Sequence, residues 1–484
     1  TDMIFTSEQM HGADKYAVEV LNIPSTELMR SAAKALFDAC GEFPTANNFV
    51  VLAGKGNNGG DGFCLAGLLK NAGKNVTVVA VYGTKNLSPD AETMFSELDK
   101  ETVYDVWENG IADAVRLVED ADVIVDCIFG TGFAGELKAD AKILAEATCG
   151  KHVIACDVPS GVHCDTGAVY GTAIRAEITV TFAAKKPFMF LYPSKNYIGR
   201  VVIADIGLPA EALGKQNPYI YENDGRVLAS VKKRKQNTNK GSFGAVQVVC
   251  GTKKMTGAAV LCCSGALRSG VGLVYAASDK KTRRIIQTHL AEPVFVKRKK
   301  KVKKADAFVV GCGLGKKGKV VKKYLKRKRP CVIDADALNY LAKHKNKLKR
   351  LRPDCVLTPH PAEMARLCDC SVAKIEENRF GAARDFAVAY NTTVLLKGNR
   401  TLIADPQGNV YVNMSGNSAL AKGGSGDVLA GVIGSLLAQG YDAVTAARLG
   451  AYIHGSAAEI LTENGNSEAS VLPSDLPRVI GNLI

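Results

Sequence analysis

The sequence predicts two α/β domains, each a largely parallel sheet with helices on both faces. Three observations predict it. Short apolar runs rich in β-branched residues alternate with helical stretches twice along the chain, glycine-rich segments follow several of those runs, and a polar, lysine-rich break separates the two series. Strands separated by helices favour parallel pairing, and strands buried on both faces read as continuous apolar runs. A chain of 484 residues also exceeds what one core organises.

In the first series the strand-like runs are 48–54, 76–83, 122–130, 152–158, 178–184 and 201–206. Each is bounded by Gly, Pro or Asp, and helical stretches such as 25–40 and 111–119 lie between them. The alternation stops after Ile206-Gly207-Leu208-Pro209. A polar stretch to about Asn223 and a lysine-rich segment, 231–240, follow. The boundary is therefore set near residue 215, giving domains 1–215 and 216–484. The second series comprises 245–251, 272–278, 305–311, 331–334, 355–358 and 392–397, and it ends in helical stretches over 426–439 and 442–461.

Composition narrows the class. At 47% hydrophobic and 23% charged residues the chain is ordinary globular protein. No apolar run reaches the length of a membrane span, so no membrane partner is expected. The opening Thr1-Asp2-Met3-Ile4-Phe5 lacks the basic and apolar regions of a signal peptide, which points to the cytoplasm. The 14 cysteines include no CxxC pair, so they are expected as free thiols in a reducing compartment rather than metal ligands. The net charge of +14 is concentrated in runs of the second half: 232–235, 297–304, 322–329 and 343–352. Few aromatics accompany these runs, which favours solvated faces over a nucleic-acid partner.

Chemistry is written into the ends of the strand-like runs. In the first half, Gly54-Lys55-Gly56-Asn57-Asn58-Gly59-Gly60-Asp61 follows a strand and opens a helix, where unpaired amides suit an anion. Asp126 precedes Gly130-Thr131-Gly132, and Asp157 begins Asp157-Val158-Pro159-Ser160-Gly161. Ligands gather at the carboxyl ends of parallel strands, so these three ends converge on one pocket. In the second half Gly423-Gly424-Ser425-Gly426-Asp427 opens a long helix whose first amides form an anion hole. The helix dipole is expected to hold Asp427 ionised, ready to take a proton from a hydroxyl.

Residues 1–215 resemble the epimerase domain of the NAD(P)H-hydrate repair family, the YjeF N-terminal domain, with a Rossmann-like doubly wound sheet. The resemblance rests on the 57–61 loop, Asp126 with Gly130–Gly132, and the 157–161 segment. It implies a potassium ion held by Asn58, Asp126 and Ser160, whose oxygens suit a hard cation. It implies contacts to the hydrated dinucleotide from Asn57, Asn58, Gly59, Gly60 and Asp61. It implies further contacts from Gly130, Thr131, Gly132, Phe133, Ala134, Gly135, Glu136 and Asp157. It also assigns ring chemistry to Asp157 and to a lysine of Thr181-Phe182-Ala183-Ala184-Lys185-Lys186; Lys186 fits by register, and Lys185 stays open. Leu28-Met29-Arg30-Ser31 departs from the family, which commonly carries an acidic residue and Asn after Met.

The second half resembles the family's dehydratase domain, a ribokinase-like fold. The motifs are Lys240-Gly241-Ser242-Phe243-Gly244, Met255-Thr256-Gly257-Ala258-Ala259 and Thr358-Pro359-His360-Pro361-Ala362-Glu363, with Lys397-Gly398-Asn399-Arg400-Thr401 and the 423–427 segment after them. The resemblance implies that Ala258, Gly313, His360 and Asp427 contact the substrate. Lys397, Gly398, Asn399, Arg400, Thr401 and Gly426 would contact ADP or ATP with Mg2+. Cys312, Ala362 and Asn239 stand where Pro, Gly and His are common. The implied activity is repair of hydrated NADH and NADPH: epimerisation of the R and S hydrates, and nucleotide-dependent dehydration of the S hydrate, with ADP favoured over ATP. A homo-oligomer is expected. The alternatives are a small-molecule kinase fused to a dinucleotide-binding domain, which shares the anion hole, and a non-enzymatic RNA-binding protein.

Overall fold

In this computed structural model the described residues are 3–300 and 302–484. Thr1 and Asp2 of the opening segment, and Lys301 of the 297–304 run, lie outside them. The chain divides into two compact units that meet at Tyr219 and Ile220.

The first unit contains β1 (Met3–Ile4), β2 (Asn48–Ala53), β3 (Asn75–Ala80), β4 (Val103–Asp105), β5 (Val123–Cys127), β6 (His152–Cys156), β7 (Ile178–Phe182) and β8 (Arg200–Ala204). Seven of them form one sheet in the order β4-β3-β2-β5-β6-β7-β8, parallel throughout. Strand β2 shows why the apolar run is continuous. Phe49 and Val51 enter a core with Phe63 and Leu36 on one face, while Val50 and Leu52 enter another with Ala114 and Leu144. The chain builds β3 and β4 on one side of β2 and then returns to place β5 on the other. This reversal opens a crevice at the carboxyl ends of β2 and β5.

The second unit contains β9 (Ile220–Asn223), β10 (Ala245–Val249), β11 (Leu273–Ser278), β12 (Val294–Lys297), β13 (Ala307–Val310), β14 (Cys331–Ile333), β15 (Cys355–Leu357), β16 (Thr393–Leu396), β17 (Leu402–Ala404) and β18 (Val410–Asn413). Their order is β9-β18-β17-β16-β15-β14-β13-β10-β11-β12. Only the β16–β17 and β17–β18 pairs are antiparallel. Here the strand order reverses between β10 and β13. The helix Ser425–Ala438 is apolar on all sides because it is sandwiched between helix Thr256–Arg268 and the sheet. Gly431 permits that approach: a Cβ there would stand 2.0 Å from the Cys262 carbonyl oxygen.

The doubly wound parallel sheet and the second α/β unit follow the fold expected from the sequence. Several expected strands run too far at their carboxyl ends. Ile128 and Val158 are buried but lie beyond the ladders, beneath the crevice, so the apolar run outlasts the strand. The polar stretch up to Asn223 contains helix Ala210–Gly214 and strand β9. Gln9 Nε2 donates to the carbonyls of Gln216 and Asn217, which ties those residues to the first unit. Among the described residues no helix is long and apolar enough to cross a membrane. All 14 cysteines are free, and most are buried.

Candidate active sites

The first site occupies the β2–β5 crevice, a cleft of about 220 Å³. The loop leaving β2 enters helix Asn57–Asn71 without a side-chain cap. Gly54 lets it lie against β5, since a Cβ there would stand 2.0 Å from the Ile128 carbonyl oxygen. Asn58 donates from Nδ2 to the Cys156 carbonyl at 2.9 Å, leaving its Oδ1 beside Gly130. Asp126 is fully buried at the end of β5. It accepts from the Ser160 amide and hydroxyl, each at 2.7 Å, and from the Ile128 amide at 3.2 Å. Burial pushes its carboxyl up to about 6 against those hydrogen bonds. Asp126 and Ser160 are thus hydrogen-bonded, with Asn58 and Ser160 both beside the Phe129–Gly130 turn, and among the described residues Asp126 has no basic partner.

Asp157 holds a positive φ of 64°, a costly conformation for a residue with a side chain. Its Oδ1 accepts from Lys186 Nζ at 2.8 Å, Thr181 Oγ1 at 3.0 Å and the Phe182 amide at 3.2 Å. The Lys186 side chain is 1% exposed, and its Nζ also donates to Thr181 Oγ1 and the Phe182 carbonyl, so all three of its protons are engaged. Lys185, by contrast, meets the N-terminal strand: its carbonyl accepts from the Phe5 amide at 2.9 Å. The structure therefore brings Lys186, not Lys185, to Asp157.

Asn57, Asn58, Asp61, Thr131, Asp157 and Lys186 line the cleft. Phe133 packs into the core with Phe129 instead, and Glu136 bridges Tyr170, so the 133–136 segment does not line it. Leu28 and Met29 of the departing segment do line it, while Arg30 pairs with Glu97 at 2.6 Å outside. Asp14, from helix Ser7–Glu19, also reaches the cleft. Although much of the residue is exposed, burial of its carboxyl and the nearby Asp157 push it up to about 6. Burial and Asp157 likewise push Asp61 well above its ordinary range. Nothing in the sequence distinguished Asp14 from the other charges of an amphipathic helix.

The second site lies over the carboxyl ends of β13–β16. Gly424, with a φ of 109°, turns the chain into helix Ser425–Ala438, and Asp427 lies in its first turn. Lys397, at the end of β16, donates to Asp334 Oδ1 at 3.0 Å and stands 3.9 Å from Glu363 Oε2. Burial opposes the Lys397 charge, but Asp334 and Glu363 outweigh it and hold the ammonium above its usual range. Asp334 also accepts from Thr358 Oγ1 at 2.8 Å and from Cys312 Sγ at 3.5 Å. One ligand atom each of Cys312, Asp334 and Asp427 lie within 4.8 Å of one another, as do the sulfurs of Cys250, Cys262 and Cys312. These thiols come together from three separate elements, which no sequence spacing revealed.

The expectation that the helix dipole holds Asp427 ionised is corrected here. Burial pushes its carboxyl up to about 9, and Cys312 and Asp334 add to the rise, with Lys397 opposing them. Without ligands, desolvation and like charge outweigh the dipole. His360 caps helix Pro361–Cys368: its Nδ1 accepts from the amides of Ala362 and Glu363, and its own amide donates to Glu363 Oε2 at 2.9 Å. Its Nε2 stands 3.5 Å from Glu363 Oε1.

Next to this cluster is a pocket of about 420 Å³ lined by Lys397, Gly398, Asn399, Arg400, Thr401 and Gly426, among others. Three of its lining atoms, Arg400 Nε, Ser425 Oγ and His454 Nε2, are buried without a hydrogen-bond partner. Unpaired buried polar atoms are costly, and three of them gather at this one pocket. Burial holds the His454 imidazole down at about 4, so it is neutral. Asp334 and His454 were not singled out from the sequence, and Ser425 entered only as part of the 423–427 motif. Asp334 was legible as the polar end of an apolar run; His454 sits in a helix of small residues that gave no signal.

A doubly wound α/β unit with a carboxylate–lysine cleft, followed by a second α/β unit with an anion hole, defines a two-site enzyme class. The family model for NAD(P)H-hydrate dehydratase matches residues 246–482, and that for the YjeF-related protein N-terminus matches 25–188. The bifunctional NAD(P)H-hydrate repair enzyme Nnr of Moorella thermoacetica is 34% identical over 99% of this chain and 97% of its own. The Nnr of Coxiella burnetii is 34% identical over 98% of each chain. This chain belongs to the bifunctional NAD(P)H-hydrate repair enzyme family. A crystal structure of the Bacillus subtilis ADP/ATP-dependent NAD(P)H-hydrate dehydratase, grown with ATP and Mg2+, is 30% identical with a TM-score of 0.49, covering 53% of this chain and 94% of that one.

Proposed function

We propose that this enzyme restores hydrated NADH and NADPH, the first unit interconverting the R and S hydrates and the second dehydrating the S hydrate. The observation that carries the reading is the meeting of Asp427, Asp334 and Lys397 at the start of helix Ser425–Ala438, beside a pocket with unpaired polar atoms.

In the first unit Asp157 would move the proton at the hydroxyl-bearing ring carbon while Lys186 balances its charge. A positioned group of this kind is worth roughly 10²–10⁴-fold. Asn58, Asp126 and Ser160 would offer a potassium ion amide, carboxylate and hydroxyl oxygens from neighbouring strand ends, and a fully buried carboxylate with no basic partner among the described residues invites a cation. Bound there, the ion would supply positive charge to the substrate side of the loop.

In the second unit ADP or ATP fits the 397–401 pocket, with ADP the expected donor. Lys397 Nζ stands 3.3 Å from where a Gly426 Cβ would be, beside the helix amides. Mg2+ would neutralise the nucleotide phosphates there. Asp427 accepts the proton of the ring hydroxyl as the terminal phosphoryl group transfers to its oxygen; phosphate then departs with the electron pair of the C–O bond, and loss of a proton from the adjacent ring carbon to solvent restores the double bond of the reduced nicotinamide. Lys397 and the amides of the first turn hold the phosphoryl oxygens by position and charge. Assembly as a homo-oligomer, a cytoplasmic setting and the absence of nucleic-acid and membrane partners are part of the same proposal.

The test is to offer separate R and S hydrates with and without nucleotide. Epimerisation without nucleotide and loss of the S hydrate only with it support the reading. Phosphorylation of sugars or vitamins instead would favour a kinase, which shares the anion hole.

A further inference from the structure

The sequence's lysine excess finds one organised place at the strand-order reversal of the second unit. The turn before helix Thr256–Arg268, the start of helix Lys280–His289 and the turn after β13 meet around a cleft of about 620 Å³. Lys253 and Lys254, Lys280 and Lys281, and Lys316 and Lys317 line it, two from each segment. Asp279 is the one acidic residue lining it. It is already held by the Thr282 amide at 3.0 Å and by Arg298 at 3.0 Å, with Lys317 at 4.0 Å, and the Thr282 and Arg298 bonds draw its carboxyl down to about 2 against burial. Among the described ion pairs, none includes the other five lysines. Gathering six ammonium groups around one paired carboxylate costs electrostatic self-repulsion, which a polyanion would relieve.

Two further features narrow the anion. The floor is apolar: Met255 is 41% exposed, and buried Leu314 lies beside it. Met255 also joins this cleft to the expected ring site. The point where a Gly313 Cβ would sit is 2.8 Å from Ala258 Cβ and 3.0 Å from the Met255 carbonyl oxygen. A ligand whose ring lies against Ala258 and Gly313 can therefore extend over Met255 into the lysines, away from the nucleotide pocket beyond Lys397. A flat apolar base carrying phosphates matches an apolar floor inside a ring of cations.

Resting on the proposed repair activity, we propose that this cleft takes the adenosine end of the hydrated dinucleotide and that its charge selects the 2′-phosphorylated form. NADPH hydrate is then the preferred substrate of the second unit. The extra phosphate adds about two negative charges at neutral pH, where several exposed ammonium groups share it. Because these lysines are exposed, the preference is salt-sensitive.

The test compares kcat/KM of dehydration for the S hydrates of NADPH and NADH in the full chain, with calorimetric binding of NADP+ and NAD+ alongside. The expected ratio favours the phosphorylated forms by about ten-fold at low salt, about 1.4 kcal/mol. The paired variants Lys253→Gln/Lys254→Gln and Lys280→Gln/Lys281→Gln should bring both ratios toward one by lowering the values for the phosphorylated forms more than those for the unphosphorylated ones. Equal values for the two forms, or a ratio unmoved by both variants, overturn the proposal. So does RNA binding that the same variants abolish while the dinucleotide ratios stand. If neither hydrate is turned over, the repair reading falls, and the NADP+ to NAD+ binding ratio still decides this one.

Discussion

Lys186 Nζ stands 2.8 Å from Asp157 Oδ1 in a fully buried ion pair, with its other two protons held by Thr181 and the Phe182 carbonyl. Removing the lysine strands a buried charge, at a cost of about 3–5 kcal/mol. Lys186→Met is expected to abolish epimerisation and lower the melting temperature of the first unit. Lys185→Met should keep epimerisation, because Lys185 meets the N-terminal strand rather than Asp157. Measuring both variants by epimer ratio and thermal unfolding distinguishes the two lysines.

Asp126 reports on the potassium site. Asp126→Ala should weaken epimerisation and abolish its dependence on potassium while leaving dehydration of the S hydrate unchanged. Full epimerase activity that stays potassium-dependent in this variant would put the ion elsewhere.

The raised Asp427 carboxyl makes two predictions. Its value moves from 3.8 to about 9 on folding, so between those values the folded chain holds a proton that the unfolded chain has released. Stability carried by this group is therefore full below its ordinary value and lost as pH rises toward about 9. Asp427→Asn should melt higher than the parent at neutral pH, by a margin that grows with pH. Asn caps a helix as well as Asp, so the fold is kept, but dehydration should fall by at least roughly 10²-fold. In the parent, kcat/KM for dehydration should climb with pH toward about 9 as the free enzyme's base ionises.

His454 and Ser425 present unpaired atoms to the nucleotide pocket. His454→Leu should raise the KM for nucleotide by about ten-fold, the loss of one net hydrogen bond. The KM for hydrate should not move. A change confined to melting temperature would make the histidine merely structural.

The packing near Tyr219 sets where the chain can be cut. A fragment ending at 212 loses the Gln216 and Asn217 carbonyls that Gln9 binds and cuts helix Ala210–Gly214 short, whereas one ending at 219 keeps both. The longer fragment should epimerise hydrates without nucleotide and melt higher than the shorter one.

How far the sequence could be read followed from chemistry that is local in the chain. The glycine loop before Asn57, the Asp126 and Asp157 strand ends and the 423–427 segment are contiguous, so the crevices could be placed from residue order alone. The Asp334–Lys397–Glu363 cluster joins two strand ends and the first turn of helix Pro361–Cys368, far apart in sequence, and only the sheet order makes them neighbours. The Asp427 charge was misjudged for the same reason: the dipole is local, but the Asp334 and Cys312 groups that outweigh it arrive through the fold. Short edge strands such as β4 and β12 carry too few residues to stand out as runs.

The central claim is that two sites on one chain act in sequence, and it is tested by supplying the pure R hydrate of NADPH with ADP and following the return of reduced nicotinamide absorbance. The account predicts full recovery in the parent. Lys186→Met should slow recovery from R but not from S, and Asp427→Asn should epimerise the hydrate without recovering it. No recovery from either epimer with ADP or ATP, or recovery from S unchanged by Asp427→Asn, would contradict it.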